Sequence, residues 1–224
     1  MQMGLCESNP VVGSFTPPRS VAGDRVLSGQ EFAALWNAVD DDDYGWIVRL
    51  LICTGCRREE IGRMKWPEFD FDNGTWTLPG ARSKNRRAHT LPLSPLMQEV
   101  IASVPRRFGI DYLFGERGKG FSRWSAGRQM LDEKITLSKP WRLHDVRRSV
   151  ATGMADIGIA PHIIEAILNH ISGHKGGIAG VYNRSRYELE VASALMRWSD
   201  HMRSLIESST SKIESLDVRR AAHV

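Results

Sequence analysis

The spacing of hydrophobic residues departs from the helical period in one segment of this chain, and that segment limits the folds open to it. Residues 66–92 alternate as strands do, whereas the residues on either side repeat at helical spacing. Residues 69–71 and 75–78 flank an Asn73-Gly74 turn, which is a strong hairpin signal. A basic turn follows, and residues 89–93 then form a third strand-like segment. The sequence therefore predicts an α+β fold, mainly α-helical, with one small three-stranded antiparallel sheet.

Capping and breaking residues mark the helices around this sheet. Ser28 and Glu31 form a capping box, in which the hydroxyl and the carboxylate each accept a backbone N–H. The acidic run 40–43 is interpreted as a loop and N-cap, because a metal loop would need glycine-spaced ligands. Gly55 ends the next helix. Further helical patterns cover residues 96–104, 125–135, 143–156, 162–168 and 189–205.

Arginine dominates the basic residues of the chain. The 224 residues include 30 Lys and Arg against 26 Asp and Glu, for a formal net charge of +4, and 23 of the 30 are arginine. The guanidinium group offers a rigid donor fork that matches phosphate oxygens. The charge excess alone is common among enzymes, but the arginine share favours a nucleic-acid partner.

Cysteine count and hydropathy predict the compartment, and the composition of the two ends of the chain predicts the domain limits. Three cysteines do not make a disulfide framework and favour a reducing, cytoplasmic setting. No apolar run approaches 18 residues and no signal peptide is visible, so we expect no membrane partner. We expect residues 1–23 to be a linker or arm, residues 24–207 to form one domain, and residues 208–224 to be a flexible polar tail.

Several polar residues occur in short fragments that are individually weak signals. They are Arg57, Lys84, His144, Arg147, His170 and Tyr182, with Glu60 on the helical turn after Arg57. His144 and Arg147 open a helix at i, i+3 and so share one face. Taken singly, such residues are more often surface ion pairs, helix-end histidines or packing aromatics than functional groups.

Together and in this order, the fragments resemble the tyrosine recombinase (phage integrase) family. The family's TGxRxxE motif, hairpin lysine, HxxR motif, LGH-type histidine and following tyrosine all have counterparts within about residues 25–205, its catalytic domain. Two features depart from the family pattern. Asn169 stands where glycine is usual, and the segment from His170 to Tyr182 is slightly longer than in the commonest members.

The resemblance implies site-specific cleavage and rejoining of double-stranded DNA through a 3′-phosphotyrosyl link. Tyr182 would be the nucleophile, since a phenol leaves more easily than an aliphatic hydroxyl. Arg57 and Arg147 would clamp the phosphate, with His170 as a further donor where negative charge develops. Lys84, on its hairpin, would protonate the departing 5′ oxygen.

Two further roles and the partners follow from the same resemblance. His144 would accept the tyrosine proton or donate to the phosphate, and Glu60 would orient Arg57 or His144. No metal or nucleotide cofactor is expected, because the cations of the site neutralise the phosphate. The family assembles as a tetrameric synapse on DNA, in a prokaryotic cytoplasm. This chain shows no N-terminal core-binding domain, so we expect an isolated catalytic domain that is monomeric without DNA.

Other residue patterns in the sequence suggest competing functions. Cys53 and Cys56 form a CxxC, but no second pair follows that would complete a zinc or redox site. His170 and His174 lie four residues apart, but the glutamate of a metalloprotease motif is missing. A DNA-binding protein that has lost catalysis, and a nicking-closing enzyme similar to type IB topoisomerases, remain the nearer alternatives.

The last helical pattern has two interpretations. Its apolar stripe consists of Leu189, Ala192, Leu195, Met196 and Met202. This stripe either packs on its own domain or docks on a neighbouring protomer, as the family resemblance would imply.

Overall fold

The computed structural model describes residues 24–116, 118–170 and 187–221, with side chains as far as residue 210. Within these residues the elements are α1 (Gly29–Ala38), α2 (Asp43–Thr54), α3 (Arg58–Gly62), a 3₁₀ turn (Trp66–Glu68), β1 (Phe69–Asp70), β2 (Thr75–Leu78), β3 (His89–Pro92), α4 (Pro95–Ser103), α5 (Trp124–Lys134), α6 (Leu143–Asp156), α7 (Pro161–Ile167) and α8 (Glu188–Ala221). The predicted fold class, mainly helical with one small antiparallel sheet, is confirmed.

Helix α2 lies at the centre of the helical part of the molecule. Apart from Arg49, its residues from Tyr44 to Thr54 are all buried, because α1, α3, α4, α6 and α8 pack around it. A helix that is apolar around its circumference is stable only in such a position. Asp42 caps its N-terminus by accepting the N–H of Gly45 at 2.8 Å, so the interpretation of the acidic run as a loop and cap is confirmed.

The sheet has the order β1-β2-β3, with both pairings antiparallel. β1 ends after two residues because the Asp70 carboxylate accepts the backbone N–H of Asn73 at 2.9 Å, which closes the turn into β2. Trp76 and Leu91 pair across β2 and β3 and are fully buried against the helices. The connection from β2 to β3, residues 79–88, is called the lysine loop below.

Helix α8 packs on its own domain, one of the two predicted arrangements. Its buried side chains are Val191, Ala194, Leu195, Trp198 and Met202. The Nε1–H of Trp198 donates to the carbonyl oxygen of Ile52 in α2 at 2.9 Å.

The predicted apolar stripe of α8 was partly wrong. Leu189 and Met196 are 85% and 48% exposed. At about 100° per residue they point away from the face that carries Trp198. The helix also continues to Ala221, whereas the hydrophobic pattern predicted an end near Leu205. The apolar pattern follows the packed face, and the helical backbone extends beyond that face.

Candidate active site

The junction between α2 and α3 depends on Gly55. This residue has a φ of +64°, and its N–H donates to the carbonyl oxygen of Leu51 at 2.8 Å, which ends α2. A Cβ at this position would lie 2.7 Å from Cδ2 of Leu168, so a side chain would be both strained and crowded. The turn therefore brings the start of α3 beside the C-terminal end of α7.

Arg57 immediately precedes α3 and is held by the buried Glu60. One carboxylate oxygen of Glu60 accepts the backbone N–H of Arg57 at 3.0 Å, and the other accepts Nη1–H at 2.8 Å. The Glu60 side chain is 5% exposed and that of Arg57 is 26% exposed. Among the described residues Glu60 is the one hydrogen-bond partner of this guanidinium, so its other N–H groups are open to a ligand.

Arg147, on α6, joins two other segments of the site. Its Nη1–H donates to the carbonyl oxygen of Gly55 and its Nη2–H to that of Leu168, both at 2.7 Å. These bonds use two of the five N–H donors that a guanidinium carries. Burial first, and then the charge of Arg57, lower the pKa of Arg147 from its ordinary value. We call Arg57, Glu60 and Arg147 the arginine cluster.

His144 lies one turn before Arg147 on α6 and is exposed. Partial desolvation, followed by the positive charges of Arg147 and Arg148, lowers the pKa of His144 below its ordinary 6.5. The ring is therefore mostly neutral at pH 7 and is able to accept a proton. Asp145 fixes the start of this helix, because its carboxylate accepts the backbone N–H of Arg142 at 2.8 Å.

Lys84 is exposed at the second position of a four-residue turn in the lysine loop. The turn closes through the N–H of Arg86, which donates to the carbonyl oxygen of Ser83 at 3.0 Å. Before it, Arg82 donates to the carboxylate of Glu68 through Nε at 3.0 Å. Arg82 also donates from Nη1 to the backbone carbonyl of Glu60 at 3.3 Å. This last bond connects the loop with the arginine cluster.

His170 lies three residues beyond the end of α7, is exposed, and follows Leu168, a contact residue of the arginine cluster, by two positions. The N–H of His170 donates to the carbonyl oxygen of Glu165 at 3.0 Å. Nε2–H of His89, on β3, donates to the carbonyl oxygen of Ile167 at 2.9 Å. The last carbonyls of α7 are thus capped by side chains from β3 and α6. Tyr182 lies outside the described residues.

Six of the seven sequence-predicted site residues are therefore described, and they come from four parts of the fold. Arg57, Arg147 and His144 are close enough for their charges to interact. Lys84 and His170 are connected to this group by hydrogen bonds of nearby residues, Arg82 to the backbone of Glu60 and Arg147 to that of Leu168. A cleft of about 730 Å³ opens beside His170, Asn169 and His89. Two guanidinium groups beside a neutral imidazole suit a phosphodiester that gains negative charge during attack.

Sequence reasoning missed the polar groups that hold these residues. His89 and the side chains of Ser83, Asn85 and Asn169 link the lysine loop and β3 to the end of α7. The only signal for them in the sequence was the departure from glycine at Asn169. Their contacts join residues more than 70 positions apart, so local patterns do not reveal them.

The remaining sequence signals belong to packing. Cys53 and Cys56 are buried as free thiols, and burial raises the pKa of Cys56 to about 12. Trp76 and Trp198 are also buried, as expected of packing residues. Within the described ranges, no group of three or more His, Cys, Asp or Glu residues could hold a metal ion. None of the described helices is long and apolar enough to cross a membrane.

Residues 25–188 match the model of the phage integrase family. The prophage integrase IntA of Escherichia coli is 30% identical over 151 residues, which cover 66% of this chain and 35% of IntA. The chain thus matches about a third of the length of that relative.

Solved structures share the fold. The integrase from mycobacterium phage Brujita superimposes with a TM-score of 0.61 at 20% identity, covering 91% of this chain and 70% of that one. A lambda integrase dimer bound to a COC′ core site gives a TM-score of 0.54 at 16% identity, covering 66% of this chain and 58% of that one. At these identities the similarity concerns the fold alone.

Proposed function

This chain belongs to the phage integrase family, and we propose that it cleaves and rejoins double-stranded DNA at specific sites as a tyrosine recombinase. The observation that carries the proposal is the arginine cluster with His144 beside it. Hydrogen bonds fix the partly exposed Arg57 before α3 and the buried Arg147 on α6, and both guanidinium groups interact electrostatically with the exposed His144. Such an arrangement suits a phosphoryl group better than any other ligand class suggested by the sequence.

The proposed reaction conserves one phosphodiester bond at every step. The phenolic oxygen of Tyr182 attacks phosphorus and forms a new P–O bond, while the bond from phosphorus to the 5′ oxygen breaks. The phenol loses its proton and the 5′ oxygen gains one. The reverse attack by a 5′-hydroxyl of another strand releases Tyr182 and completes strand transfer, without an external energy source.

The roles of the cations follow from their surroundings. Arg57 and Arg147 would donate to the non-bridging oxygens, and because both are already oriented they would need little reorganisation as charge develops. His170 would add a further donor. His144, being mostly neutral, would take the proton of Tyr182 or hydrogen-bond to the phosphate. Lys84 would protonate the leaving 5′ oxygen.

The partner of this site would be double-stranded DNA. The relative named above is an integrase, and the lambda integrase structure is a dimer bound to a core site. The arginine-rich composition gives an independent reason, since phosphate contacts dominate affinity for DNA. Assembly of further protomers on DNA is part of the proposal, since joining two duplexes requires four strand cleavages.

Covalent capture tests the proposal. The full chain is incubated with a pool of nicked duplexes of random sequence, and DNA that stays attached in denaturing gels is recovered and sequenced. We expect the wild type to yield a shared motif, and Tyr182→Phe to yield no covalent complex while DNA binding persists. Tyr187→Phe, five residues later, is the matched control and should behave as the wild type. Capture by Tyr182→Phe would disprove the assignment of the nucleophile.

The products separate recombination from nicking and closing. A recombinase forms junctions between two recovered sites, whereas an enzyme similar to type IB topoisomerases only relaxes a plasmid that carries one. We expect junctions. Relaxation without junctions, in a chain fused to a core-binding domain of the family, would favour the second activity.

A further inference from the structure

Asn169 has a backbone conformation that few side chains tolerate. Its φ is +49°, in the left-handed region where asparagine and glycine are enriched. Glycine would adopt this conformation without strain, so the backbone alone does not explain an amide here. The contacts of the amide provide the explanation.

The Asn169 amide completes a ring of three hydrogen bonds with two residues of the lysine loop. Nδ2–H of Asn85 donates to Oδ1 of Asn169 at 2.5 Å, and Nδ2–H of Asn169 donates to Oγ of Ser83 at 3.1 Å. The Ser83 hydroxyl donates to Oδ1 of Asn85 at 2.6 Å, which closes the ring. The ring requires both a donor and an acceptor at residue 169, and an amide supplies both.

This ring encloses the position of Lys84 in the chain. Ser83 and Asn85 are its two neighbours, and Ser83 is 5% exposed, so both flanking residues are anchored while the lysine side chain stays exposed. The anchor on the other side immediately precedes His170. Asn169 lies 84 positions from Asn85 and 86 from Ser83 in the sequence, so the ring joins separate parts of the fold.

We propose that Asn169 is a positioning residue, whose side chain holds the lysine loop so that Lys84 reaches the leaving 5′ oxygen beside His170. This inference rests on the proposed function. Proton transfer needs the ammonium within hydrogen-bond distance of that oxygen. A lysine on an unanchored loop would sample many positions, and the free energy of ordering it would add to the barrier.

A change of leaving group tests the role of Asn169 in proton delivery. The probe is the duplex recovered by covalent capture, prepared with either oxygen or sulfur as the 5′ bridging atom. A thiol has a pKa near 8.5, so sulfur leaves as a thiolate without a proton donor. We expect Asn169→Gly to slow single-turnover capture of the oxygen substrate by roughly tenfold. Capture of the sulfur substrate should match that by the wild type.

Matched variants show whether the effect belongs to proton delivery. Lys84→Ala should lose roughly 10²–10⁴-fold on oxygen and recover on sulfur. Arg147→Ala should be slow on both substrates, because its donors serve the phosphate and not the leaving group. Asn169→Asp keeps the shape but lacks the donor, and should resemble Asn169→Gly. Equal loss on oxygen and sulfur by Asn169→Gly would reduce Asn169 to a structural role and overturn the inference.

Trypsin gives a second readout that does not depend on activity. The lysine loop contains cleavage sites after Arg82, Lys84, Arg86 and Arg87, and their cleavage requires the loop to open locally. We expect Asn169→Gly to raise cleavage there by roughly tenfold, the scale of one or two lost hydrogen bonds. Cleavage after Lys119, in the exposed connection before α5 and followed by Gly120, should not change.

The two readouts separate failure of the inference from failure of the proposed function. Unchanged trypsin cleavage in Asn169→Gly would disprove the anchoring, even if the wild type captures DNA. Absence of covalent capture by the wild type would reject the proposed function and, with it, the role of Lys84. Normal capture of the oxygen substrate by Asn169→Gly would overturn the inference and leave the proposed function intact.

Discussion

The arginine cluster and the lysine loop position cations in opposite ways. In the cluster, the guanidinium of Arg147 is buried and bonded to two main-chain carbonyls, and that of Arg57 is fixed by a buried carboxylate. In the loop, Lys84 is exposed, and neutral side chains anchor only its neighbours. The first arrangement fixes the charge itself, whereas the second fixes the backbone from which the charge extends.

This difference matches the chemistry proposed for each group. Stabilisation of a developing charge is largest when the donors are oriented in advance, which requires buried and bonded guanidinium groups. A proton donor must move with the leaving oxygen and exchange its proton with solvent, so exposure is useful there. The comparison predicts that changes in the cluster affect both stability and rate, while changes in the loop affect mainly rate.

Arg147→Ala is expected to have the largest effect. Covalent capture should slow by roughly 10²–10³-fold, the scale for loss of one preorganised donor. The free energy of unfolding should also fall, by about 1–3 kcal/mol, because the carbonyls of Gly55 and Leu168 lose their partner. Single-turnover capture and urea denaturation measure the two effects.

Lysine at either arginine position serves as the control for charge. Arg147→Lys and Arg57→Lys should not restore the rate, because an ammonium does not bridge two oxygens. Wild-type rates in both lysine variants would reject bidentate contact with the phosphate. Arg57 is 26% exposed, so its variants should lower the free energy of unfolding less than Arg147→Ala does.

Glu60→Gln tests whether the cluster depends on its carboxylate. The amide nitrogen of glutamine cannot accept a hydrogen bond, so one of the two contacts with Arg57 is lost. We expect capture to slow by roughly 10–100-fold through misplacement of Arg57. The neighbouring Glu59→Gln, on the exposed side of α3, is the control and should keep the wild-type rate. Equal rates for the two variants would show that Glu60 does not position Arg57.

Gly55→Ala tests how far the cluster depends on the backbone beneath it. An added methyl group meets Leu168 at 2.7 Å in a left-handed conformation, so we expect a loss of about 1–3 kcal/mol in the free energy of unfolding. Gly74→Ala is the matched control, since Gly74 has a φ of +60° and nothing lies within 4 Å of its added Cβ. Equal losses in the two variants would assign the whole effect to φ and none to the contact with α7.

The same contrast explains what the sequence predicted. The capping box at Ser28, the N-cap at Asp42 and the stop at Gly55 are local signals, and all three are observed. Trp76 and Leu91 also follow the alternation that predicts the sheet. The arrangement of the arginine cluster could be anticipated because its motifs are local and ordered along the chain.

Contacts between distant segments could not be predicted. The sequence pattern predicts only that His89 lies in a strand, yet its ring caps α7 from 78 positions away. The ring through Asn169 depends on an approach of the lysine loop to α7 that no local pattern encodes. On α8, Leu189 and Met196 fit a helical stripe but not the face that docks, because periodicity does not determine which of two overlapping faces is covered.

The smallest predicted effect concerns His89, which follows the lysine loop on β3 and contacts the end of α7. Burial lowers the pKa of His89 below its ordinary 6.5, although the hydrogen bond to the carbonyl of Ile167 opposes this shift. In the unfolded chain the ring has its ordinary pKa, so on acidification the unfolded state binds the proton first. Stability contributed by the neutral ring is therefore present above about pH 6.5 and is lost as the pH falls towards the folded pKa.

His89→Gln should flatten this part of the stability profile. Glutamine places an N–H donor near the position of Nε2 but does not titrate, so the bond to Ile167 is kept while the proton linkage is removed. Urea midpoints measured between about pH 5 and pH 8 should decline less on acidification in the variant than in the wild type.

Other titrating groups serve as controls for this measurement. Burial raises the pKa of Glu31, but hydrogen bonds from Ser28, Arg25 and Ser138 outweigh this and lower it to about 2. The contribution of Glu31 to the pH dependence of stability therefore begins only below about pH 4.5. His144 titrates in the same window, and His89→Gln combined with His144→Gln should flatten the profile further. An unchanged slope in His89→Gln would show that this histidine is not the group that couples the end of α7 to pH.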